Sequence, residues 1–119
     1  MERRNLLQAL ATLSITTPNL IDHTVLTIED IFPEFTVYKT RRNGKPTVVA
    51  YRQNPDKQQQ YHYYHYYDSS YPNRVEVTDT SENRDIDWFG MRTNDHRKAH
   101  QILQDAEELG LDKIRSLYP

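Results

Sequence analysis

The sequence predicts a small α+β domain, an antiparallel β-meander of about four strands with an N-terminal and a C-terminal helix packed on one face. Three observations predict it. Asn43-Gly44 joins two β-rich runs, and a type I′ hairpin turn needs the positive φ at both central positions that this pair tolerates. Tyr61 to Tyr67 contains five tyrosines, a residue that suits a pleated, half-buried surface. Ala99, Ile102, Leu103, Ala106 and Leu109 form a stripe at helical spacing, and Gly110 follows where a helix end favours positive φ.

Along the chain, Leu6, Leu7, Leu10 and Leu13 share one face, so Glu2 to Leu13 is expected to be a core-facing helix. Arg3-Arg4 ahead of leucines resembles an export signal, but Gln8, Thr12 and Ser14 interrupt the apolar run, and a retained helix is the expectation. Thr16-Thr17-Pro18-Asn19 ends it, because the residue before a proline avoids helical geometry. Leu20 to Leu26 fits a short strand or coil. Thr27 to Phe32 fits a short helix with Thr27 as cap, stopped by Pro33.

A two-residue hairpin loop sets the register: Arg42 opposite Lys45, Val37 opposite Ala50, and Tyr38 opposite Val49. Phe35, Val37, Val48 and Ala50 then share a face, which is the expected core side, while Tyr38, Val49 and Tyr51 lie on the other. Asn54-Pro55-Asp56-Lys57 is a turn before a third strand at Tyr61–Tyr67. A loop at Asp68–Asn73 leads to a fourth strand at Arg74–Thr78. Ile86, Trp88, Phe89 and Met91 fit either a fifth strand or a helix lead-in. The last long helix begins with Thr93 or Asn94 as cap, and Leu111 to Tyr118 adds a short turn.

At 119 residues the chain is one domain, residues 1–119. Its hydrophobic fraction of 36% and charged fraction of 27% are globular in type, and no stretch approaches the ~18 to 20 apolar residues of a membrane span. The net charge of −2 argues against a general nucleic-acid coat protein. Charge is unevenly spread, however. Residues 34–67 hold six Lys/Arg against two acids, and residues 68–95 hold three Arg against seven acids. That asymmetry means either a polarised surface or mutual pairing on folding. The absence of cysteine excludes disulfides, thiol catalysis and Cys-ligated zinc, and fits the reducing cytoplasm in which the protein is expected.

Two features suggest binding. Lys39, Arg41, Arg42 and Lys45 crowd the hairpin tip, with Arg52 further along, and such a cationic ribbon suits phosphates; solvated tips that block edge pairing are the plain alternative. In the tyrosine run, Tyr61, Tyr63, His65 and Tyr67 face one way, and His62, Tyr64 and Tyr66 the other. With helices on one side, aromatic rings remain on the second, as stacking platforms for bases or as anchors for a protein. The nucleic-acid candidates are therefore Lys39, Arg41, Arg42, Lys45, Arg52, Tyr61, Tyr63, Tyr64 and Tyr66.

Competing chemistry is weaker. His96 and His100 have a chelating spacing on a helix, but His62 and His65 point to opposite strand faces and no third ligand follows, so no metal is assigned. Asp85 and Asp87 make a lone Asp-x-Asp, and there is no phosphate loop, nucleophile elbow or dinucleotide fingerprint. The expectation is a non-enzymatic binding or regulatory protein without cofactor, with DNA or RNA as partner. The alternative is a modulator of a larger protein machine, or a homodimer, with an interface at Tyr64, Tyr66, Tyr67, Asp85 and Asp87.

Overall fold

The computed structural model describes residues 22–81 and 86–119; the Glu2–Leu13 segment and Asp85 lie outside the described residues. The elements run α1 (His23–Ile31), β1 (Thr36–Arg42), β2 (Lys45–Asn54), β3 (Gln59–Tyr66), β4 (Arg74–Asp79), β5 (Asp87–Arg92), α2 (His96–Leu109) and α3 (Leu111–Leu117). The five strands lie in sequence order, each antiparallel to the next. The expected antiparallel meander of about four strands thus has five. The apolar cluster around Trp88 is that strand, because Phe89 and Met91 alternate with Trp88 and Gly90 at period two.

The β1–β2 hairpin has the expected register, with Arg42 opposite Lys45, Val37 opposite Ala50 and Tyr38 opposite Val49. Asn43 and Gly44 take φ of 55° and 75°, the positive values the turn demands. Gln58, the residue before β3, has a φ of 55° as well, and its carbonyl accepts the backbone N–H of Thr80 at 3.0 Å. That bond ties the second turn to the chain leaving β4.

All three described helices pack on one sheet face. Val48, Ala50, Tyr61, Tyr63, Val75, Val77 and Phe89 rise from the sheet, and Ile28, Phe32, Ile102, Leu103, Ala106 and Ile114 meet them from the helical layer. Burying each large apolar side chain contributes about 1.5–3 kcal/mol before entropy is counted. Phe35 and Val37 extend the same cluster, as the hairpin pattern implied.

Both long helices are capped elsewhere than expected. α1 begins at His23, so His23 to Leu26 is helical and neither strand nor coil, while Leu20 and Ile21 lie outside the described residues. Asp22 Oδ1 accepts from the N–H groups of Thr24 at 3.0 Å and Val25 at 3.2 Å. Thr27 lies within the helix and returns its hydroxyl to the His23 carbonyl at 2.7 Å. In α2 the cap is Asp95, accepting from Arg97 and Lys98, and not Thr93 or Asn94. Asn94 is otherwise engaged, its side-chain oxygen accepting the Asn73 N–H at 2.9 Å. Gly110, with φ of 87°, ends α2 and starts α3.

Candidate functional site

Period-two alternation divides every strand between a helix-covered face and a face that no described helix covers. The second face carries Tyr38, Val49, Tyr51, His62, Tyr64, Tyr66 and Trp88. Its strand positions hold four cations, Arg42, Lys45, Arg74 and Arg92, and one carboxylate, Glu76. The rings form a row. Tyr51 and His62 are neighbours at 4.9 Å between centroids, and His62 stacks on Tyr64 at 5.3 Å with planes 5° apart. The Arg42 guanidinium lies 3.8 Å over the Tyr64 ring, donates to the Tyr66 hydroxyl at 3.1 Å and reaches Glu76 at 3.3 Å. Glu76 also takes Arg74 at 2.7 Å, and Arg74 in turn sits 5.4 Å from the Trp88 ring. Joined through Glu76, aromatic rings and guanidinium groups therefore cross the sheet from β2 to β5.

Gly90 lets the β5 end of that band lie flat. A Cβ there would stand 2.9 Å from two atoms of the Trp88 ring and would collide with the Arg74 guanidinium. The missing side chain is the seat of the indole, which remains half exposed. Tyr51, Arg74, Arg92 and Gly90 were absent from the sequence candidates, and Trp88 was not assigned to this face. The signal was present all the same: Phe89 belongs to the core, so Trp88 beside it must face the other way.

The sequence candidates are only partly brought together. Tyr61 and Tyr63 are corrected as stacking platforms, since both rings are buried beneath the helices at 1% and 0% exposure. Tyr64 and Tyr66 are on the open side but are 8% and 6% exposed, covered by Arg42 and by Tyr71, whose ring meets Tyr66 edge-on at 5.2 Å. The tip cations split between the two faces. Lys39 pairs with Asp22 at 3.2 Å, and Arg52 with Glu107, both on the helical side. Lys45 holds Asp68 at 3.2 Å. Arg41 alone of the five has no carboxylate partner among the described residues, and donates to the Gly44 carbonyl at 2.8 Å. The charge asymmetry along the chain is thus largely consumed by internal pairing. The residues of the protein-interface alternative do not converge either. Tyr67 binds Asp22 beyond the end of β3, whereas Asp87 pairs with Arg115 in register with the start of β3.

The histidines separate as the strand period requires. His65 lies on the helical side, its ring 5.2 Å from that of His96. The Tyr63 hydroxyl accepts from Asn73 Nδ2 at 3.0 Å and meets His96 Nδ1 at 2.6 Å. His65 Nδ1 is buried without a hydrogen-bond partner among the described residues. Burial lowers the proton affinity of both rings; His96 lowers that of His65 further, while Asp22 opposes it. Tyr67 is pushed up to about 12 by burial and by its bond to Asp22. His100 instead binds Glu34 at 2.8 Å, so the 96/100 pair does not converge. Among the described residues no group of three or more His, Asp or Glu is placed to hold a metal ion.

The described residues define an α+β domain whose described helices all pack on one face of the sheet. No protein-family model matches the chain, and no curated protein or solved structure matches it either.

Proposed function

We propose that the protein is a non-enzymatic binding protein for single-stranded DNA or RNA, held across the open face of the sheet. One observation carries this reading: a sheet face that no described helix covers carries the Tyr51–His62–Tyr64 row and a half-exposed tryptophan, and its strand positions hold four cations against one carboxylate. Unpaired bases stack on Trp88, Tyr51 and Tyr38, each contact worth ~1–3 kcal/mol, and guanidinium groups take the phosphates between them. The site moves from the hairpin tip to the sheet, where Arg42, Lys45 and Arg74 are paired with carboxylates and Arg92 has no carboxylate partner among the described residues. Arg42 and Lys45 keep their place in it, and Tyr64 and Tyr66 serve as its floor.

Trp88 is the sole tryptophan and lies on that face, so the protein carries its own reporter. Oligonucleotide titration should quench its emission, with log K falling linearly as log salt rises. In anisotropy with a labelled strand, Trp88→Ala should weaken binding by roughly tenfold, the value of one lost stack. No quenching and no binding at low salt would overturn the reading. A dimer by light scattering that Trp88→Ala dissolves would then assign the face to a protein contact.

A further inference from the structure

We propose that a recess at one corner of the open face receives the terminal phosphate monoester of the bound strand; this rests on the reading of the face just given. Arg74 and Arg92 stand directly opposite each other on β4 and β5. Like charges in that relation oppose the pairing, and nothing in the fold alone calls for them. Arg74 is relieved by leaning towards Glu76 and the Trp88 ring. Arg92 is exposed and has no carboxylate partner among the described residues. Beside it opens a cavity of about 330 Å³ lined by Tyr66, Ser70, Tyr71, Pro72, Arg74 and Arg92, with no acid in the lining.

The wall of the recess is held in place. Asp68 accepts from the Ser70 N–H at 3.0 Å and its hydroxyl at 2.6 Å, and takes Lys45 at 3.2 Å. Tyr71 braces against Tyr66 on one side and lies 4.9 Å from Lys45 Nζ on another. A strand crossing the face therefore meets a wall at this corner, which suits a chain end. The charge points the same way: a terminal monoester carries about −1.5 to −2 at neutral pH, against −1 for an internal diester. A guanidinium fork binds such a group in a bidentate manner, and Tyr71 offers its ring to the last base.

The test compares one oligonucleotide sequence with a 5′-phosphate, a 3′-phosphate or hydroxyls at both ends, read by Trp88 quenching at moderate salt. One phosphorylated end should bind roughly tenfold tighter than the hydroxyl-ended strand, as a charge-assisted contact implies. Arg92→Gln, with its folding checked by thermal melting, should erase that difference. Equal binding of all three strands would overturn the proposal and leave the reading of the face standing. A preference that survives in Arg92→Gln would do the same. Binding of inorganic phosphate as tight as any phosphorylated strand would make the recess a free-ion site and overturn the assignment to a strand end. If no strand binds at all, the reading of the face falls and the proposal with it.

Discussion

Tyr63 joins three parts of the molecule through one hydroxyl. Its ring stacks on Phe32, centroids 5.3 Å apart, so the aromatic body belongs to the core. Its oxygen accepts from Asn73 at the start of β4 and reaches His96 in the first turn of α2. Asn73 is itself buried, and its side-chain oxygen takes the Tyr66 N–H at 3.1 Å. Tyr63→Phe keeps the stack and removes only the hydroxyl. It leaves Asn73 Nδ2 and His96 Nδ1 without this partner, and the cost of such buried loss is about 1–3 kcal/mol. The urea midpoint of the variant measures it, and an unchanged midpoint would show that the hydroxyl holds nothing together.

Among elements, the helices depend on two aspartates whose side chains close their first turns. Asp22 and Asp95 each accept from two backbone N–H groups that would otherwise lack intrahelical partners. Asp95→Ala should cost about 1 kcal/mol, and Asp95→Asn much less, because asparagine caps as well as aspartate. Equal losses in thermal unfolding for both variants would mean that charge and not capping is what matters. The same positions mark where the sequence was readable and where it was not. The β1–β2 hairpin was legible because Asn43-Gly44 and a period-two pattern agree on a single register. The α2 stripe was legible because its apolar spacing is uninterrupted. Its cap was not, since Thr93, Asn94 and Asp95 are all capping residues, and the bonds that tie Thr93 and Asn94 to Asn73 leave the role to Asp95. The hairpin cations looked free because Asp22, Asp68, Glu76 and Glu107 reach them from distant parts of the chain. The open face was half legible: alternation placed Tyr64 and Tyr66 on it, while nothing local showed that Arg42 and Tyr71 cover them.

At the scale of the whole molecule, placing every described helix on one sheet face leaves titrating groups in the helical layer that the open face does not need. His65 and His96 meet there, with Asp22 and Asp95 at the two helix starts and the Tyr63 and Tyr67 hydroxyls beside them. Both histidines hold their protons less tightly than the ordinary value of 6.5, first because burial disfavours the cation. The unfolded chain therefore binds more protons than the folded one just below pH 6.5, and acid in that window favours unfolding. Stability should be full above about pH 6.5 and fall as the pH drops through the lowered folded values. The carboxylates act in a separate window: Asp68, held down to about 2 by the Ser70 hydroxyl and N–H and by Lys45, keeps its contribution above its ordinary 3.8 and loses it only below that value. Urea midpoints at pH 7.5, 6.5 and 5.5 should thus decline between the last two. His62 on the open face is lowered by burial too, and accounts for part of the decline. Replacing His65 and His96 by asparagine, whose side-chain oxygen can still accept from Tyr63 at position 96, should remove most of the slope. A decline undiminished in the double variant would place the acid sensitivity elsewhere and leave the histidine pair a matter of packing alone.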